Sequence, residues 1–83
     1  MDDLHRAILL ALLPEADPIS LPRLGKRLGL GASVLMRALT LMGDASLGGQ
    51  PGPGWVTLRL EDERWMAALA DAGRSFCAEA LHG

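Results

Sequence analysis

Apolar residues recur every three or four positions from residue 4 to residue 13, which predicts an amphipathic helix there. Pro14 ends this helix, because proline cannot continue it. Leu9, Leu10 and Leu13 widen the apolar stripe beyond one helix face. The helix is therefore either buried on more than one side or in contact with a second copy of the chain, and both interpretations remain open.

Two shorter helices are predicted next, over about residues 21–28 and 32–42. Ser20 can cap the first helix, Gly29 and Gly31 bracket the turn, and Gly43 can cap the end of the second. The two helices can pack through apolar positions at helical spacing, namely Leu24, Leu28 and Leu30 against Leu35, Leu39 and Met42. This arrangement is typical of a helix-turn-helix spanning about residues 21–42.

The pattern changes to period two after the second helix. Residues 45–47 suit a short strand, residues 48–54 are rich in glycine and proline, and residues 55–60 alternate. Val56, Leu58 and Leu60 would face the core, and Trp55, Thr57 and Arg59 would face the other way. We expect a hairpin over about residues 45–60 with the glycine-proline stretch at its tip. In the simplest interpretation that stretch is an ordinary loop between two strands.

A last helix is predicted over about residues 62–81. Trp65, Leu69, Ala72, Phe76 and Ala80 form one stripe at helical spacing. The stripe either covers the core or also contacts a second copy. The sequence as a whole thus predicts one domain over residues 1–83, mainly α with a small antiparallel β-hairpin.

The stretch from Leu24 to Leu39, LGKRLGLGASVLMRAL, resembles the helix-turn-helix of bacterial winged-helix transcriptional regulators. The resemblance implies a three-helix core, a wing over about residues 45–60 and a C-terminal helix. It also implies sequence-specific binding of double-stranded DNA, with the second helix of the pair in the major groove and the wing on the flanking backbone or minor groove.

The resemblance assigns DNA contacts to particular residues. The exposed side of the second helix would carry Ala32, Ser33, Met36, Arg37 and Thr40, of which Ser33 and Arg37 are the best candidates for contacts with bases or phosphates. The flanking phosphates would be contacted by Arg23, Lys26, Arg27 and Arg59, with Gly49, Gln50 and Gly52 in the wing.

The distribution of charge agrees with this assignment, although the chain as a whole is acidic. Residues 1–20 carry a net charge of −3, residues 21–60 carry +4 and residues 61–83 carry −3. The positive charge lies in the part of the chain expected to contact DNA, as in a small DNA-binding protein whose other side is acidic.

One departure from the family pattern supports a second hypothesis. Val34, Met36 and Leu41 are apolar where the family usually has polar or charged residues. A helix with so few hydrogen-bonding groups has little means of reading base edges. The alternative function is a winged-helix protein–protein interaction module that does not bind DNA.

No enzymatic, metal or cofactor motif is present, so we expect neither an enzyme nor a cofactor. His5 and His82 lie at opposite ends of the sequence, and the lone Cys77 fits a reducing cytoplasm. No apolar run approaches the ~18 residues of a membrane span. We expect a cytoplasmic homodimer that pairs through its first and last helices, with contacts from Leu9, Leu10 and Leu13 and from Trp65, Leu69 and Phe76.

Overall fold

Four helices and a three-stranded antiparallel sheet make up the fold in the computed structural model, which describes residues 3–43, 46–47 and 50–81. The helices are α1 (Asp3–Leu12), α2 (Leu21–Leu28), α3 (Ala32–Met42) and α4 (Asp71–Ala80). The strands are β1 (Ile19–Ser20), β2 (Ser46–Leu47), β3 (Gln50–Pro51), β4 (Val56–Glu61) and β5 (Arg64–Leu69).

The pair α2–α3 forms as its sequence predicts. The Ser20 hydroxyl accepts a hydrogen bond from the Arg23 N–H at 3.4 Å and caps α2. Gly29 ends α2 in the left-handed conformation, with φ at 70°. The turn then passes so close to Gly25 that a Cβ there would lie 2.8 Å from the Leu30 carbonyl oxygen. The glycine inside α2 therefore permits a close approach of two backbones.

The sheet has the strand order β1-β5-β4. Val56 pairs with Leu69 at one end of the β4–β5 hairpin and Glu61 pairs with Arg64 at the other. The two-residue turn consists of Asp62 and Glu63, with φ angles of 49° and 62°. Positive φ at both positions is characteristic of a type I′ turn, whose twist matches that of the paired strands.

The core lies between the helices and one face of the sheet. Its buried residues are Ile8, Leu9, Leu12, Ile19, Leu21, Leu24, Leu35, Ala38, Leu39, Met42, Val56, Ala67, Leu69 and Cys77. Leu9 and Leu69, which we expected at a dimer contact, are at most 9% exposed and lie in the core of a single chain. They therefore offer no surface to a second copy.

The predicted helix over residues 62–81 is wrong in its first third. Residues 64–69 form β5, and α4 begins only at Asp71. Trp65 and Leu69 fit a helical stripe, but with Ala67 they also fit period two, and pairing with β4 satisfies the backbone hydrogen bonds of this segment. Phe76 does lie on α4, where its ring stacks on Trp55 with centroids 4.0 Å apart.

The predicted hairpin over residues 45–60 is wrong in two respects, namely which strands pair with each other and which residues form the turn between the long strands. The strand β2 pairs with β3, whereas β4 pairs with β5. Residues 50 and 51 of the glycine-proline stretch form β3, and residues 52–54 lead from it to β4. The Gly54 N–H donates to Gly43 O (3.0 Å) and the Trp55 N–H donates to Met42 O (2.8 Å). The prediction failed because both the glycine-proline stretch and the acidic run at residues 61–63 are able to form a hairpin turn, and the sequence alone did not show which one joins the long strands.

Candidate nucleic-acid interface

The helix α3 presents one side to the core and the other to solvent. Leu35, Leu39 and Met42, spaced three or four residues apart, are at most 1% exposed and fix the helix on the domain. The exposed residues of α3, which we call the α3 face, are Ala32, Ser33, Val34, Arg37 and Leu41. Ser33 and Arg37 thus lie where the sequence predicts.

The α3 face is mainly apolar. Val34 is 47% exposed and Leu41 is 42% exposed, and with Arg37 they line a shallow cleft of about 320 Å³ between α3 and α1. Arg37 is the one charged residue of α3 and Ser33 offers one hydroxyl. Direct hydrogen bonding to bases from this face is therefore limited to these two side chains.

Thr40 and Met36 are less available than we expected. The Thr40 hydroxyl donates a hydrogen bond of 2.8 Å to the Met36 carbonyl oxygen one turn earlier, so its proton is already committed within the helix. Both residues are half-buried, and the Met36 side chain packs against the core. Neither side chain is well placed for a base contact.

The cations of α2 differ in their surroundings. Arg23 and Lys26 are exposed, whereas the Arg27 guanidinium lies 3.4 Å from the Glu15 carboxylate. A partly exposed ion pair of this kind contributes about 0–1 kcal/mol and leaves Arg27 able to exchange partners. Glu15 lies in the loop between α1 and β1. Arg74 of α4 also holds this loop, because its guanidinium donates hydrogen bonds to the Leu13 and Glu15 carbonyl oxygens at 3.3 and 3.4 Å.

Arg59 lies on the outer face of the sheet. On β4, Val56 and Leu58 face the core, so Thr57 and Arg59 project from the outer face of the sheet. The cross-strand partner of Arg59, Met66, lines a cleft that also includes Arg23 of α2. The contact of Arg59 with a DNA phosphate therefore stays a prediction.

A cleft separates α3 from the turn of the β4–β5 hairpin. We call it the tip cleft; its volume is about 630 Å³, and it is lined by Leu21, Pro22, Ala32, Ser33, Met36, Asp62, Glu63, Arg64 and Trp65. The carboxylates and the Arg64 guanidinium lie at or beside the hairpin turn, and mainly apolar side chains line the remainder, with the Ser33 hydroxyl among them. This cleft combines an apolar surface with an acidic rim.

Sequence reasoning missed the apolar end of the hairpin. Leu60 and Trp65 are cross-strand partners, and they are 59% and 42% exposed. They belong to the same sheet face as the core residues but lie beyond the edge of the core. The acidic run at residues 61–63 was the signal for this turn, yet it also suits the start of a helix.

Gln50 and Gly52, two of the residues predicted to form a wing tip, do not lie at the turn of the β4–β5 hairpin. Gln50 belongs to β3 and Gly52 to the loop before β4. Gly49 lies outside the described residues. The described part of this loop thus contributes nothing to the tip cleft.

The remaining chemistry of the described residues is sparse. They contain no group of three or more His, Cys, Asp or Glu residues able to hold a metal ion. Cys77 is 2% exposed, and burial raises the pKa of its thiol, while the positive charge of Arg74 lowers it by a smaller amount. Among these same residues, no helix combines the length and apolar character that crossing a membrane requires.

Comparisons of this chain with protein-family models, with curated proteins and with solved structures found no match. The case for any function therefore depends on the geometry of the chain itself.

Proposed function

We propose that this chain is a winged-helix domain that binds double-stranded DNA through α3. The supporting observation is the order of elements, since a helix pair with a glycine turn is followed by a hairpin that pairs with the short strand preceding the pair. In this arrangement the β4–β5 hairpin is the wing, and its tip is Asp62–Glu63. The second helix of the pair is anchored by its buried side, which leaves its exposed side available for a major groove.

The contacts that this proposal requires fall into two groups. Arg37, from the middle of the α3 face, would bond a guanine edge bidentately, and Ser33 would add one hydrogen bond. Arg23 and Lys26 would contact flanking phosphates, which position the domain without reading sequence. The acidic hairpin turn would contribute no phosphate contact, so we expect modest affinity.

Salt dependence and single substitutions test the proposal. With a selected duplex, affinity should fall with salt by roughly 0.9 log unit per log unit for each phosphate neutralised. Arg37→Ala should cost ~1–3 kcal/mol on that duplex and little on random DNA, whereas Lys26→Ala should weaken binding to both. Arg6→Ala, at an exposed position of α1 with no assigned contact, is the matched control and should change neither. Absence of binding to any duplex at low salt would refute the proposal.

We further propose that the protein acts as a cytoplasmic transcriptional regulator and that two copies pair through α1 and α4. Leu10 and Leu13 support pairing, because both are large apolar side chains on one side of the domain with 39% and 37% exposure. A twofold dimer would place two α3 helices about one DNA turn apart, roughly 34 Å. Light scattering should give twice the chain mass at micromolar concentration, and Leu10→Lys should restore the monomer. A monomer mass for the unaltered chain would refute pairing.

A second candidate function is protein docking without DNA binding. The observation that favours it is the acidic turn beside α3, because Asp62 and Glu63 repel the phosphates that a wing would approach. The apolar character of the α3 face also favours protein docking. A chain that binds no duplex yet binds a protein segment in the tip cleft would establish this function instead.

A further inference from the structure

We propose that the tip cleft binds a cationic segment of a partner protein that carries apolar anchor residues between its lysines or arginines. This inference deepens the second candidate function, and it holds whether or not α3 also binds DNA. It depends on the apolar surface of the cleft, on the charge at its rim and on the way in which the hairpin holds both.

The apolar surface comes from both sides of the cleft. Trp65 projects from β5, with 42% of its surface exposed, and Met36 lies half-buried on α3. Pro22, at the start of α2, is exposed and lines the same cleft. Large aromatic residues that remain exposed beside apolar neighbours are typical centres of protein interfaces, because their burial releases much water at little cost in side-chain entropy.

The hairpin explains why Trp65 remains exposed. Its cross-strand partner Leu60 is 59% exposed, and the next pair toward the turn is Glu61 with Arg64. One apolar cross-strand pair on the core-facing side of the hairpin, Leu60 with Trp65, therefore lies beyond the residues that cover the core. A partner segment seated against Trp65 would bury this pair in the same way that the core buries Val56 and Leu69.

The charge at the rim selects the partner. Glu61, Asp62 and Glu63 surround one cation, Arg64, so the turn carries a net negative charge. Within the described residues, the carboxylates of Asp62 and Glu63 form neither an ion pair nor a hydrogen bond. They are therefore available to steer and orient lysine or arginine side chains, and they disfavour phosphates. A segment bound here would also cover Ser33, which lines the cleft.

Two designed peptides test the inference on the full chain. Both have the same helical pattern of leucine anchors, but one carries lysine and arginine between them and the other carries glutamate. We expect the cationic peptide to shift the indole N–H resonance of Trp65 in a saturable titration and the anionic peptide to leave it unchanged. Equal binding of both peptides, or binding of neither, would overturn the proposal.

Substitutions localise the binding. Glu63→Arg should weaken the cationic peptide by roughly 10-fold, because it places a like charge at the rim. Glu79→Arg is the matched control, since Glu79 is an exposed carboxylate on α4 that does not line the cleft, and it should have no effect. Trp65→Ala removes this indole probe, so the amide resonances of Ala32 and Ser33, which also line the cleft, report on binding; the cationic peptide should no longer shift them, and an unchanged amide spectrum in the core confirms the fold. Equal effects of the two charge reversals on peptide affinity would overturn the proposal. It would also be overturned if light scattering showed that the peptide converts a dimer into monomers, because the cleft would then be the site of a second copy of the chain.

The failure of this inference and the failure of DNA binding are distinguishable. The peptide titration contains no DNA, and the duplex titration depends on Arg37 and Lys26, which do not line the tip cleft. Binding of the cationic peptide together with an absence of duplex binding would support docking alone. Duplex binding without peptide binding would refute the docking proposal and leave the DNA proposal intact.

Discussion

The helix pair α2–α3 and the unit formed by the hairpin and α4 both depend on a glycine where two backbones come close. In α2, Gly25 faces the carbonyl oxygen of Leu30, five residues later. In α4, Gly73 faces the carbonyl oxygen of Trp55, 18 residues earlier in the chain. The first contact is closed by a tight turn, and the second requires that the entire β4–β5 hairpin has formed.

The two regions differ in the sequence separation of the contacts that stabilise them. The pair α2–α3 has its cap, its turn and its close contact within one short stretch of sequence. The second region relies on strand pairing and on Trp55, whose N–H donates to Met42 O, whose carbonyl accepts from the Ala70 N–H and whose ring stacks on Phe76. We expect substitutions in the second region to cost more, because they disturb several elements at once.

The largest effect should come from Gly73→Ala. A Cβ at this position would overlap the Trp55 carbonyl oxygen, so backbone must move, and the cost should reach the upper end of the overpacking range, about 3 kcal/mol. Urea unfolding of the full chain measures it. Ser75→Ala, at an exposed position of the same helix, is the control and should change stability by less than about 0.5 kcal/mol.

A smaller loss should follow from Gly25→Ala. The new Cβ would lie 2.8 Å from the Leu30 carbonyl oxygen, and the shift needed to relieve this contact should cost about 1–2 kcal/mol after the gain in helix propensity. Lys26→Ala, at an exposed position of the same helix, serves as the control and should change stability by less than about 0.5 kcal/mol. If both variants were equally stable, the close approach in α2 would have no energetic importance.

The next effect concerns the cap of α2. Ser20→Ala removes the acceptor of the Arg23 N–H and should cost ~1 kcal/mol or somewhat less, because the bond is long at 3.4 Å. Thermal unfolding of this variant beside Ser33→Ala gives the comparison, since Ser33 is exposed and caps nothing. An unchanged midpoint for Ser20→Ala would show that water replaces the cap without loss.

The smallest effect should be a gain. Glu63 has a φ of 62°, a conformation that glycine adopts without strain, so Glu63→Gly should stabilise the chain by about 0.5 kcal/mol. Glu61→Gly is the control and should destabilise by about 0.5–1 kcal/mol, because Glu61 lies in regular strand. A loss of stability in Glu63→Gly would mean that the turn tolerates its side chain without strain.

Much of the candidate site could be predicted from sequence, but its surroundings could not. The spacing of apolar residues in α3 correctly predicted that Ser33 and Arg37 are exposed. The bond that commits the Thr40 hydroxyl lies within α3 and is a known local pattern of threonine in helices. The ion pair of Arg27 with Glu15 depends on contact between separate elements, and the place of Arg59 on the outer face of the sheet depends on how β4 pairs. The sequence alone therefore did not show which of the predicted contact residues already have partners within the chain.

The sequence by itself determined the elements whose signals are local. Pro14 ends α1, Ser20 and Gly29 bound α2, and the leucines of α3 mark its buried side. Only the tertiary structure decided that residues 64–69 are strand. Their apolar residues fit both periods, and the choice depended on the backbone hydrogen bonds that β5 makes with β4 on one side and β1 on the other. A helix would have satisfied the backbone of residues 64–69 but would have left β1 and β4 without their partner, and this requirement lies outside any local window of sequence.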